Sequence, residues 1–402
     1  MMELEPKNKC CELSEHLREE ILAWLPLQSL CRFRLVCKDW NALISSTRFI
    51  TTKWVDKPPN RKPWLVVHLQ GAPSKMPHSL AYCFFTRTWK NTSSISLSFL
   101  MHQKQETRKC LYGSAAGLFL VGCASEFVVF NPLTRRSIQL LPLSSIRYID
   151  IFSVGIVGES REVYNVVVVG KSRTLKAHLV EIYSSTEKSW RIAGQLPEDV
   201  KVMRTGPRSV MDMVFCSDSF YFITLIEEEW GIMSFSIREG TFFSAPLPDV
   251  ANENSIIPYL LACGSRVLAT VGIVKEREVI LQEVIIWEFQ NVKAVSTSYS
   301  SSSWWKEIAR MPPSLCEIVN KSWSQFGCRI NSPFMCCIGV GDCACFIVKG
   351  GMSLMEVVFY SLSEKTWNCL PSCLLGEDII AALWAGYATV MAFEPRLDMK
   401  VG

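Results

Sequence analysis

The sequence predicts a small all-α module of three helices followed by an all-β propeller of six blades. Residues 13–45 repeat apolar side chains at helical spacing. Beyond residue 60 the chain changes to short apolar runs rich in Val, Ile, Phe and Tyr, bounded by turn residues. Across this longer region a hairpin-like unit recurs at the period of a propeller blade.

The helical module reads in order. Leu13, Leu17, Ile21 and Leu25 recur every fourth residue and Leu22 widens the stripe, which predicts a first amphipathic helix. Ser14 is placed to cap it, Glu15 complements its positive end, and Pro26 stops it. Leu30, Phe33 and Val36 mark a second helix, and Trp40, Leu43 and Ile44 a third. So short a segment buries too little surface to be stable alone, and its surplus of apolar side chains implies a partner.

The repeat unit is an apolar strand, a polar turn, a strand carrying an aromatic residue and a closing Pro. It appears at 82–89, 127–142, 179–190, 233–243, 284–305 and 357–367. Pro142, Pro197, Pro248, Pro312 and Pro371 close successive copies, about 50–65 residues apart, which suits blades of four strands. Trp89, Trp190, Trp305 and Trp367 follow the turns and are expected to pack between neighbouring sheets. The apolar run 379–393 reads as strand, placed to join the first sheet and remove its open edge.

The order Leu13, Glu20-Ile21-Leu22, Leu25-Pro26, Leu30, Phe33-Arg34, Val36-Cys37-Lys38 and Trp40 closely resembles an F-box. Leu13-Ser14 stands where the usual opening is Leu-Pro, and Ser can start a helix as Pro does. The whole chain resembles the F-box/kelch-repeat proteins abundant in plants, with Phe393-Glu394-Pro395-Arg396-Leu397 also similar. Its kelch repeats are degenerate, since Gly350-Gly351 is the one glycine pair where such repeats usually carry them. The resemblance implies docking on the Skp-type adaptor, and through it the cullin and RING subunits, of an SCF ubiquitin ligase. It gives the adaptor face as Leu13, Leu17, Ile21, Leu22, Leu25, Pro26, Leu30, Phe33, Val36, Cys37 and Trp40. The division that follows is a tail at 1–12, the F-box at 13–55, a Pro-rich joint at 56–63 and the propeller at 64–402.

Composition narrows the function. The 402 residues are 49% hydrophobic and 20% charged, as in a globular chain. A formal charge of +4, evenly scattered, gives no basic patch for nucleic acid. No signal peptide is visible, and the run 379–393 falls short of the ~20 residues a membrane-spanning helix needs. A soluble protein of the cytoplasm or nucleus is expected, its 17 cysteines reduced. Cys336, Cys337, Cys343 and Cys345 lack a C-x-x-C pair and read as buried small hydrophobes, not metal ligands.

Catalytic motifs fail on inspection. Gly170-Lys171-Ser172 imitates the end of a phosphate loop, but Asn165 stands where the pattern needs Gly. Ser114, in Gly113–Gly117, is misplaced for a nucleophile elbow, and the five histidines show no metal-ligand spacing. No cofactor and no enzymatic activity are expected. The leading reading is a non-catalytic substrate receptor. An F-box protein acting outside degradation, such as a transcriptional cofactor, and a propeller enzyme or sugar binder are the alternatives. Target binding has only loop charges to suggest it: Arg135, Arg136, Lys188 and Lys365, all in hairpin turns. The Ser-rich stretch 296–303 is expected to be a loop.

Overall fold

The computed structural model describes residues 13–54, 62–69, 79–91, 110–123, 126–158, 163–172, 174–175, 177–198, 200–201, 213–226, 229–249, 258–275, 280–290, 304–324, 334–349, 354–371, 373–374, 388–397, 399 and 401. The tail 1–12, most of the joint and the Ser-rich stretch lie outside them. Helices α1 (Glu15–Ala23), α2 (Leu27–Phe33) and α3 (Lys38–Ser45) come first, followed by a π-helical segment at Phe49–Trp54.

Six antiparallel sheets follow among the described residues, radiating as blades. The first contains β1 (Trp64–Leu69), β2 (Ser79–Cys83) and β3 (Thr88–Asn91). The second is β4 (Cys110–Ala115), β5 (Leu118–Cys123), β6 (Glu126–Asn131) and β7 (Arg136–Gln139). The third is β8 (Ile146–Gly158), β9 (Tyr164–Ser172), β10 (His178–Ser184) and β11 (Ser189–Gln195). In the fourth, β12 (Val200–Lys201) and the short β13 (Val214–Cys216) both pair with β14 (Ser219–Ile226), which continues to β15 (Glu229–Ser236) and β16 (Phe242–Pro246). The fifth is β17 (Tyr259–Cys263), β18 (Arg266–Lys275), β19 (Ile280–Phe289) and β20 (Trp305–Arg310). Helix α4 (Pro313–Ser324) leads into the sixth: β21 (Phe334–Val340), β22 (Cys343–Lys349), β23 (Leu354–Ser361), β24 (Thr366–Cys369) and β25 (Cys373–Leu374). Finally β26 (Ala388–Phe393) pairs with β1 from Trp64↔Phe393 to Leu69↔Ala388 and closes the ring, as expected of the end of the run 379–393, whose residues 379–387 lie outside the described ones. The innermost strands β26, β4, β8, β13, β17 and β21 adjoin around a central channel of about 490 Å³.

Packing explains the composition of the strands. In β9, Val166 and Val168 face the seam with the second blade, and Val167 and Val169 face the seam with the fourth. Leu65 and Val67 likewise face the sixth blade, while Trp64 and Val66 face the second. Both faces of each sheet are covered, so period-two alternation becomes a continuous apolar run. The core is accordingly divided into six clusters, one at each seam.

The six repeat units are the outer hairpins of the six blades. Their tryptophans work as bolts. Trp89 Nε1 donates to Pro371 O of the preceding blade at 2.7 Å, Trp190 Nε1 to Leu141 O at 2.6 Å, and Trp305 Nε1 to Pro246 O at 2.7 Å. Each acceptor lies within two residues of a closing Pro or is that Pro itself, so the two recurring signals in the sequence are the two ends of one contact. Trp367 packs against Tyr360 and Phe346 within its own blade.

Two seam elements are polar. Glu181 is fully buried in β10 and its carboxylate accepts from Ser144 N and Oγ (3.0 and 2.9 Å), Ser145 N (2.7 Å) and Ile146 N (2.7 Å). It therefore pins the connection from the second blade to the third. On α4, Asn320 accepts from Leu281 N and donates to Leu281 O, both at 2.9 Å, and covers a stretch of β19 beyond the end of β20.

Glu181→Leu leaves three backbone N–H groups, that of the buried Ile146 among them, and a hydroxyl without their acceptor. At about 1–3 kcal/mol for the buried donor left unsatisfied, with the solvent-accessible ones adding less, a loss of at least ~1 kcal/mol is expected. The urea midpoint of unfolding measures it, with Glu181→Gln, which keeps one acceptor oxygen, falling in between.

Candidate functional site: the helical face

Each short helix is set by its first residue. Ser14 Oγ accepts from Leu17 N at 3.4 Å to start α1, and Glu15 occupies its first turn. Pro26, with φ −57° and ψ 146°, starts α2, and Cys37 Sγ accepts from Trp40 N at 3.4 Å to start α3. Cys37 thus acts as a helix cap.

Helix α1 carries two opposed faces. Glu19, Leu22 and Ala23 point inward. Leu13 (50% exposed), Leu17 (49%), Ile21 (52%) and Trp24 (54%) point outward, at spacings of four, four and three. Leu35 (86%) and Val36 (64%), in the turn between α2 and α3, are also exposed. Single exposed apolar side chains are ordinary, but this many within 24 residues of one small module is a marked concentration of exposed apolar surface. Trp24 and Leu35 were missed by sequence reasoning, although Trp24 continues the spacing from Ile21 by one helical step.

The eleven nominated residues therefore separate by burial. Leu13, Leu17, Ile21, Val36 and Cys37 are exposed, and Leu25, Pro26, Phe33 and Trp40 are half-buried. Phe33 and Trp40 pack ring to ring, with centroids 4.8 Å apart. Leu22 (2%) and Leu30 (0%) lie in the core, where they hold the module together. The inward face does not end within the helices. Leu22, Ala23, Leu27, Leu30, Ile44, Phe49 and Trp54 form one cluster with Trp64, Val66, Phe119, Val121, Phe130 and Phe393 at the seam of the first two blades. Ion pairs Glu19–Arg48 (3.5 Å) and Glu20–Lys53 tie α1 to the segment running into the π-helical turn.

The target-binding candidates share one structural role. Arg135 (φ 58°), Lys188 (φ 54°) and Lys365 (φ 56°) each close a four-residue turn in the left-handed region, as does Arg87 (φ 53°) in the first blade. Arg135 N donates to Asn131 O at 2.9 Å and Lys188 N to Ser184 O at 2.8 Å. Arg136 opens β7 beside Arg135, and all four candidate side chains are exposed. These turns lie at the end of the blades where Trp64 brings the chain in from the helices, since Trp64 pairs with Cys83 next to the β2–β3 turn. The candidates therefore share a side of the propeller with the helical module, and Leu133 of the Arg135 turn packs against its core.

The cysteine group lies in the sixth blade, Cys337 at the seam with the fifth blade and Cys336, Cys343 and Cys345 at the seam with the first. Cys337, Cys343 and Cys345 are buried and Cys336 half-buried. Burial pushes the Cys343 thiol up to about 12 and the Cys316 thiol up to about 11, so both are neutral at physiological pH. Among the described residues no group of His, Cys, Asp and Glu could hold a metal ion, and no helix is long and apolar enough to cross a membrane.

Residues 10–52 match the family model of the F-box domain. The chain therefore carries an F-box domain at its N-terminus, and its relatives over nearly the full chain include F-box/kelch-repeat proteins. It is 26% identical over 402 residues to F-box only protein 6 of Arabidopsis thaliana, spanning 96% of this chain and 73% of that protein. Two F-box/kelch-repeat proteins of the same plant are each 23% identical, over 416 and 406 residues, with 96% and 98% of this chain and 89% of each relative covered.

Burial makes Leu30 and Leu17 separable. Leu30→Ala opens a cavity in the F-box core and is expected to cost about 2–5 kcal/mol. Leu17→Ala removes a half-exposed side chain and should leave thermal unfolding within about 0.5 kcal/mol of the parent.

Proposed function

We propose that this protein is the substrate-recognition subunit of an SCF ubiquitin ligase. On this reading the F-box docks the Skp-type adaptor and the propeller holds a target protein for ubiquitination. The observation that carries the reading is the outward face of α1, an apolar stripe left uncovered on a module whose inner face is already buried in the propeller. The protein contributes no acid, base or nucleophile of its own. It holds the target's lysines near the charged conjugating enzyme, and raised local concentration does the rest. Such a ligase works in the cytoplasm or nucleus, and we place the protein there.

The geometry favours one side of the propeller for the target. On the side that receives the F-box, four of the outer-hairpin turns, at 84–87, 132–135, 185–188 and 362–365, are short and backbone-determined, while the β19–β20 connection from Phe289 to Trp305 is long. From the opposite side α4 and the long connections from Asn91 to Cys110 and from Arg310 to Phe334 depart. Long connections are free to vary without disturbing the seams, and these leave the blades on the side away from the adaptor. We assign target recognition to that side.

Adaptor binding is tested with the triple variant Leu17→Ala, Ile21→Ala, Trp24→Ala. Truncating central hot spots costs about 2–4 kcal/mol, so affinity for the adaptor should fall at least ~30-fold. The melting temperature should hold, because all three side chains are exposed. Undiminished binding would refute the assignment. The same variant, expressed with proteasome activity inhibited, serves as a trap for targets. Reversing Arg135, Arg136, Lys188 and Lys365 to Glu should leave the captured set unchanged, whereas loss of capture would move recognition to the F-box side.

A further inference from the structure

We propose that the stretch following β26 is a strap that seats the F-box on the propeller. Ring closure and F-box position then form one cooperative unit. After Phe393 the chain does not leave the surface. Pro395, Leu397, Met399 and Val401 are all buried. Leu397 belongs to the cluster shared by the F-box core and the seam of the first two blades, and Met399 and Val401 to the next seam.

Asn131 holds the strap in place. It is fully buried at the end of β6, and its amide uses both of its ends. Nδ2 donates to Arg396 O at 3.0 Å and Met399 O at 3.1 Å, while Oδ1 accepts from Leu133 N at 3.0 Å and Thr134 N at 3.3 Å. One side chain therefore fixes both the strap and the turn whose Leu133 packs against the cluster shared by the F-box and the first two blades. Gly117 fits the strap from the other side. Its φ is +80°, and a Cβ there would stand 2.6 Å from Arg396 Cβ and 3.1 Å from Glu394 O. The strap passes too close for any other residue.

This arrangement supplies what the F-box cannot supply alone. Phe49 and Trp54 are almost wholly buried, yet three short helices offer few apolar neighbours to cover them. Phe49 and Trp54 share one cluster with Trp64, Phe119, Val121, Phe130, Phe393 and Leu397, two of which come from the closing strand and the strap. Loosening the strap therefore loosens the F-box first. On the receptor reading it would also let the adaptor face swing relative to the target side, and that consequence alone rests on the reading.

Asn131→Asp tests the proposal in the full chain. It keeps the acceptor for Leu133 and Thr134 but replaces the donor with an oxygen facing two carbonyls. Amide hydrogen exchange, followed by mass spectrometry, should show residues 394–401 and residues 47–54 exchanging together, at least about tenfold faster than in the parent. Peptides from β14 to β19 should be unchanged. Leu397→Ala, which leaves Asn131 intact, should give the same paired pattern and serves if the first variant does not fold. A strap that loosens while 47–54 keeps its protection overturns the proposal, and so does a strap left unaffected by both changes. Neither result depends on whether the adaptor binds.

Discussion

The pairing of β1 with β26 is the constraint on which the rest of the molecule depends. Each blade buries both of its faces against neighbours, so an open ring would leave an apolar face of two blades uncovered. The seam between the first and sixth blades and the seam between the first and second both draw on this sheet, Val390 and Ala392 packing on one side and Met391 and Phe393 on the other. Opening β26 from β1 would expose the unpaired edges of two strands and strip two core clusters at once. The F-box core rests on the second of those clusters, so its support also passes through the closing strand.

The seams are not equal. Indole bolts cross three alternate seams, between the sixth and first, second and third, and fourth and fifth blades. Of the other three, the first–second seam is covered by the F-box and strap, and the fifth–sixth seam by α4, whose Cys316 and Val319 enter its cluster. The third–fourth seam holds an apolar cluster that includes Val167, Val169, Phe220 and Phe235, beside the three-residue inner strand β13. Packing is non-directional, whereas a hydrogen bond from an indole N–H fixes the relative height of two sheets. The bolts thus set blade register, and the apolar clusters supply most of the stabilisation.

Much of this was legible in the sequence, and the reason is locality. The outer hairpins could be read because a four-residue turn, its left-handed closing residue and the Tyr–Trp pairs Tyr82–Trp89, Tyr183–Trp190 and Tyr360–Trp367 all lie within a few residues of one another. The inner strands were harder, since burial on both faces erases the alternation that marks a strand. The F-box motif gave the helices and the apolar stripe, but not the division of that stripe. Ile21 and Leu22 are adjacent and equally apolar, and only the position of the propeller decides that Leu22 is core and Ile21 surface. The side of the propeller on which the charged turns emerge was equally out of reach, because it depends on where β1 enters its sheet.

The central claim is that the outward face of α1 is where the adaptor binds while the inner face stays seated on the propeller. Hydrogen exchange of the full chain with and without the Skp-type adaptor tests both halves in one measurement. The account predicts new protection over Leu13–Trp24 and around Leu35 and Val36, with residues 47–54 and the seam beneath them protected equally in both states. Binding that leaves α1 unprotected, or that releases residues 47–54 from the propeller, would contradict it.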